Sequence, residues 1–195
     1  MPKEKTAVVE KPSQMDTSAE LQNSEYIDNL TIGVRAAWPA TFVETIDHQR
    51  LIIDTRTAVK AASEDFKLYT WDASNGLMDV TDPLKSQRID PKATRTPLGA
   101  LQHIADCSNK SKQEIMGQLS VFLMLEFNDY LHMIPYKAEQ IREVVRNCLP
   151  RFKNRNLMYV FQGASITIPA SLRDYIKPMP YPRPDANAML FTLEQ

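Results

Sequence analysis

Residues 119–129 read LSVFLMLEFND, and the fold class turns on how this stretch is interpreted. From Leu119 to Leu125 there is one hydroxyl, Ser120, and no charge; Glu126, Asn128 and Asp129 then follow almost at once. A strand in a parallel sheet is covered by helices on both faces, so it needs no polar alternation and forms a continuous apolar run. The carboxyl ends of such strands are where open α/β sheets place their ligand sites. An apolar strand that ends in an acidic residue also matches the Walker B position of P-loop NTPases, whose carboxylate holds Mg²⁺ near the phosphates. Glu126, with Asp129, is the candidate for such a metal site.

Working outward, the flanking segments alternate between strand and helix signals. Toward the N-terminus, a helix is expected over Glu25–Ala37 with Ser24 as N-cap, then a strand over Thr41–Ile46. Asp47 is placed to cap the next helix, in which Leu51, Thr55, Ala58 or Val59, and Ala62 recur on one face. Phe66–Trp71 is the second strand, Asp72–Gly76 a polar turn, and Asp79–Thr96 a surface loop rich in Pro, Asp, Lys and Arg. Thr96-Pro97 has the chemistry of an N-cap followed by the first helical position, opening a helix to Cys107 with Leu98, Leu101, Ile104 and Ala105 facing inward.

Beyond the central run, a helix is predicted from Tyr136 to Lys153, with Pro150 kinking or ending it. A strand follows at Asn156–Gln162, and a short helix at Ser171–Ile176 leads to the proline-rich Pro178–Pro184. Strands separated by helices imply an α/β three-layer sandwich with a mostly parallel sheet. The expected organisation is a disordered tail over residues 1–24, one domain over 25–184, and the start of a linker over 185–195. The chain of 195 residues is long enough for one such core.

Bulk composition narrows the function classes. A formal net charge of −1 gives no polybasic signature of nucleic-acid binding. Cys107 and Cys148 are far apart and lack CxxC or CxxH spacing, which argues against a disulfide framework or a zinc site and fits a reducing cytoplasm. No apolar run approaches the ~20 residues that a membrane span needs, so no membrane association is expected.

A working P-loop needs GxxxxGK[ST] after the first strand, because backbone amides must cradle the phosphates and a lysine must reach them. Here that turn is Glu44-Thr45-Ile46-Asp47-His48-Gln49-Arg50, with neither glycine nor lysine, and GxGxxG is equally absent. His103 and Cys107 share a helix face but have no further ligand nearby. Asp72, Asn75, Asp79 and Asp82 fail the calcium-loop pattern, since placing Gly76 at position six puts Trp71 at position one. Ser171 lies in PASLRD, not in a nucleophile elbow. Arg146, Arg151, Lys153 and Arg155 gather around the end of the long helix, where positive charge suits the helix dipole or contacts a phosphate or acidic partner.

Taken together, FVETIDHQRL (42–51), LYTWDASNGL (68–77), the helix start TPLGAL (96–101), VFLMLEFNDYL (121–131), NLMYVF (156–161), ITIPASLRDYI (166–176) and PYPRPD (180–185) resemble the N-terminal domain of a group of AAA+ ATPases. That group includes the uncharacterised type encoded in cyanobacteria and plastids. The resemblance spans Tyr26 to Leu193 and implies a RecA/AAA-like domain that has lost its phosphate loop and precedes a catalytic AAA module. It transfers no catalytic residue. It implies no cofactor in this chain, Mg-ATP in the downstream module, homo-oligomerisation through that module, and a protein partner. The resulting expectation is a non-catalytic domain for assembly, regulation or substrate recruitment, with a stand-alone nucleotide- or nucleic-acid-binding module as the alternative.

Overall fold

The computed structural model describes residues 23–109, 118–132, 135–152, 154–165 and 167–182. These fall within one compact unit. In chain order the elements are α1 (Ser24–Arg35), β1 (Ala40–Glu44), α2 (His48–Ala62), β2 (Phe66–Asp72), β3 (Gly76–Asp79), β4 (Gln87–Arg88), α3 (Pro97–Asn109), β5 (Leu119–Met124), α4 (Asn128–His132), α5 (Pro135–Phe152), β6 (Leu157–Gly163), a 3₁₀ turn (Ala170–Leu172) and β7 (Ile176–Met179).

The seven strands form one sheet in the order β4-β3-β2-β5-β6-β1-β7. β2, β5, β6, β1 and β7 run parallel to one another, with β5 between β2 and β6 and β1 between β6 and β7. The β2–β3 and β3–β4 pairs are antiparallel. Alternate residues of each central strand feed opposite faces. On β5, Phe122 and Met124 join α3, α4 and α5 in one core, while Leu119, Val121 and Leu123 join α1 and α2 in the other. On β6, Tyr159 and Phe161 face the first core, and Met158 and Val160 the second. Both faces are therefore dry, which is why neither strand alternates apolar with polar. The fold is the expected α/β three-layer sandwich.

Local signals account for most helix starts. Asp47 accepts from the Arg50 amide at 3.0 Å, and Thr96 Oγ1 accepts from the Gly99 amide at 3.1 Å, as their sequence positions predict. Asn23, not Ser24, caps α1 by accepting from the Tyr26 amide at 3.1 Å. Asn23 and Ser24 thus belong to the folded unit, although both fall in the span expected to be a tail. The rest of that tail, residues 1–22, and the expected linker, 185–195, lie outside the described residues. Pro150 stands in the last turn of α5, exposed, and the helix ends two residues later at Phe152. Lacking an amide hydrogen, Pro150 leaves the Arg146 carbonyl four residues back without its helical donor, a loss confined to the last turn.

Three elements differ from expectation. The surface loop over 79–96 contains the end of β3 and all of β4, forming an antiparallel excursion. It is pinned from inside: the buried Trp71 indole donates to the Thr94 carbonyl at 2.8 Å, and Thr94 Oγ1 accepts from the Leu77 amide at 3.1 Å. Residues 128–132, for which no element was expected, form α4. The short helix expected at Ser171–Ile176 is only the 3₁₀ turn, after which Ile176–Met179 becomes an edge strand on β1. Pro178 is tolerated because an edge strand needs ladder bonds on one side only.

Candidate functional site

The strand connections define where a ligand crevice forms. From β1 the chain crosses past β6 and β5 to reach β2, whereas from β6 it crosses to the other side of β1 to reach β7. Neighbouring strands whose connections part in opposite directions open a crevice outside their carboxyl ends. The residues there are Glu44–His48 after β1, Leu125–Asn128 after β5, and Gln162–Gly163 at the end of β6.

Gln162 holds the three strand ends together. It is fully buried. Its Oε1 accepts from the Glu126 amide at 2.7 Å, and its Nε2 donates to the Thr45 carbonyl. Its own carbonyl accepts from the Phe127 amide at 2.9 Å, and the Gly163 carbonyl accepts from the Thr45 amide at 3.1 Å. One amide side chain thereby supplies a donor and an acceptor to two turns that have no ladder partner left. Gly163 is required beside it, because a Cβ at that position would lie 2.6 Å from Asn128 Cβ.

The turn after β5 aims Glu126 outward. Glu126 has φ of 51°, a left-handed conformation uncommon for a residue with a side chain. Its Oε1 lies 2.8 Å from His48 Nε2, with the two side chains 51% and 36% exposed. His48 opens α2, whose N-terminus is closed by the Asp47 carboxylate on the Arg50 amide, while Thr45 Oγ1 accepts from the Asp47 amide at 3.1 Å. The helix end that binds a phosphate in P-loop proteins is here bonded to the chain's own carboxylate. Asn128 Oδ1, beside Gly163, is buried with no hydrogen-bond partner among the described residues.

The other sequence candidates are dispersed. Asp129 stands exposed in the first turn of α4. No group of three His, Cys, Asp or Glu side chains among the described residues is arranged to hold a metal ion. Asp72 caps its own turn, accepting from the Ser74 and Asn75 amides at 2.8 Å each, and Asp79 pairs with Lys67 at 3.2 Å. Arg146 and Arg151 are exposed on α5, Arg155 is half-buried beyond it, and Lys153 lies outside the described residues. The Arg155 and Asn154 amides close the end of α5 on the Phe152 and Arg151 carbonyls. The side chain of Cys107 also lies outside the described residues. No helix among the described residues is long and apolar enough to cross a membrane.

Sequence reasoning singled out Glu126 but neither His48 nor Gln162. A glutamine closing an otherwise apolar strand, NLMYVFQG, was the available signal for the second. His48 carries none, since its partner is 78 residues away.

A structure of the E. coli MS115-1 HORMA:CdnC:Trip13 complex contains a chain similar to this one at 10% identity, with a TM-score of 0.57 over 92% of this chain and 69% of that one. The structure of C. elegans PCH-2 is similar at 10% identity with a TM-score of 0.48, over 84% of this chain and 44% of the other. At such identity the likeness is one of fold, and the chain spans less than half the length of the second protein. No curated protein matches in sequence. The profile of the SpoVK-like AAA ATPase N-terminal domain matches residues 26–179. Matched over most of its length, the chain belongs to the family of SpoVK-like AAA ATPase N-terminal domains.

Proposed function

We propose that this chain is a non-catalytic, phosphate-loop-degenerate domain that serves assembly, regulation or substrate recruitment in an AAA+ ATPase. The observation that carries this reading is the closed N-terminus of α2. Asp47 occupies the first-turn amide that a phosphate would need, and His48 engages Glu126, the one carboxylate in the Walker B position. A triphosphate entering there would meet Glu44, Asp47 and Glu126, with no lysine in the turn to offset them. The residues present do not fit Mg-ATP. In this reading ATP and Mg²⁺ are bound by a catalytic AAA module that follows this domain, and homo-oligomers form through that module in the cytoplasm.

The partner is a protein, in keeping with the multi-protein complex in which a chain of similar fold is found. The basic end of α5 does not favour nucleic acid, because the chain as a whole carries a formal net charge of −1.

Calorimetric titration of the purified chain with Mg-ATP, with phosphate release assayed in the same sample, tests the reading. The expected result is no heat and no turnover. Saturable, Mg²⁺-dependent heat that E126Q abolishes would overturn it.

A further inference from the structure

The two ends of the described unit meet at one carboxylate on α2. Asp54 is fully buried, and its Oδ2 accepts from the Tyr181 hydroxyl at 2.7 Å and from the Asn23 amide at 3.4 Å, with Arg50 Nε at 3.8 Å. Further contacts join the ends directly. Asn23 Nδ2 donates to the Pro182 carbonyl at 3.3 Å, and the rings of Tyr26 and Tyr181 meet edge-on at 4.9 Å. Tyr26 is anchored in turn by a 2.8 Å hydrogen bond with Thr55, and the Arg50 guanidinium lies over the Tyr181 ring, 5.3 Å from its centroid.

None of these is a sheet hydrogen bond, and β7 ends at Met179, before Tyr181. The start of α1 and the segment after β7 therefore depend on side chains for their place. The arrangement is also costly. Asp54 Oδ1 is buried with no hydrogen-bond partner, and a buried carboxylate is weak evidence of net stabilisation when apolar residues of similar volume would pack there. A costly polar cluster that joins distant segments specifies a connection more than it adds stability.

We propose that Asp54 is the shared latch of a clasp, through which the first turn of α1 and the segment 180–182 are fastened and released together. Withdrawal of Tyr181 removes the shortest hydrogen bond from Oδ2, the edge-on neighbour from Tyr26 and, with Pro182, the acceptor from Asn23. A pull on the chain at residue 183 then acts on α1, and a pull at residue 22 acts on Tyr181. The clasp is independent of whether the crevice binds nucleotide.

Hydrogen exchange followed by mass spectrometry on the full chain tests this. Y181F removes one hydroxyl and keeps the ring. It should raise exchange at least about tenfold in peptides covering both 23–35 and 176–182, leaving 119–124 unchanged. D54N, which weakens the same acceptor from the other side, should give the same paired pattern. A rise confined to 176–182, no rise in either segment, or an equal rise in 119–124 would overturn the clasp.

Discussion

Glu126 and Asp54 are both tied to α2 or across it by hydrogen bonds of nearly equal length, 2.8 Å to His48 and 2.7 Å to Tyr181. Their surroundings are opposite. Glu126 and His48 stand half in water, where solvent competes for both groups and salt screens them. Asp54 is fully buried, so every bond it makes replaces a hydration that is no longer available. Bond length alone does not rank the two. Burial does, and it also sets which mutation leaves a group without a partner.

The largest expected effect is at the buried carboxylate. Removing one partner of a buried pair costs about 3–5 kcal/mol, because the other charge stays behind. D54A, which strands Arg50 and the Tyr181 hydroxyl, should lower the urea midpoint accordingly; a loss below about 1 kcal/mol would mean that water enters the clasp freely. Next comes Q162A. It leaves the Glu126 amide and the Thr45 carbonyl without their side-chain partner, at about 2 kcal/mol for buried groups. An unchanged melting temperature would show that the crevice admits water to both.

Burial pushes the Asp54 carboxyl above its ordinary 3.8, against the pull of Tyr181, the Asn23 amide and Arg50, with Asp47 adding to the rise. The folded state then holds the proton more tightly than the unfolded chain, so stability falls as pH rises from 3.8 through the folded pKa. Tyr26 and Tyr181, the other titratable groups in the clasp, are themselves pushed up by burial and stay neutral in that window. Asp79 has the opposite sign. Burial alone would raise it, but hydrogen bonds from Thr81 and the Lys67 ammonium bring it below 3.8, so its contribution is present above that value and lost as pH falls through the folded pKa. Chemical denaturation across this range should therefore lose a downward slope in D54N and an upward one in D79N. Identical profiles for D54N and the natural sequence would place Asp54 in contact with water.

The smallest effect belongs to the exposed pair. H48A and E126Q should each change stability by less than about 1 kcal/mol, and the change should shrink as salt is added. A larger, salt-insensitive loss would mean that the crevice is closed by something that excludes water.

The parts of the fold that could be read from the sequence are those whose cause is local. β5 announces itself through Leu119–Leu125, α2 through the Asp47 cap, and α3 through Thr96-Pro97, because periodicity and capping involve neighbours a few residues apart. β3, β4 and β7 could not be read that way. β4 is two residues long, and β7 contains Pro178; both are strands only because a neighbour supplies the ladder. The candidate site divides likewise. Glu126 was visible as the first charge after an apolar run, whereas nothing in the sequence around Asp54 marks it as buried. Its partners Asn23 and Tyr181 lie 31 and 127 residues away.

Residue types alone specify the three-layer α/β class and show no GxxxxGK[ST] motif after the first strand. Each follows from residue types within a single turn or strand. Only the tertiary structure decided that Gln162 bridges three strand ends, that His48 meets Glu126, and that both ends of the unit converge on Asp54. A buried polar group is defined by whichever distant segments exclude water from it, and no local pattern records which ones those are.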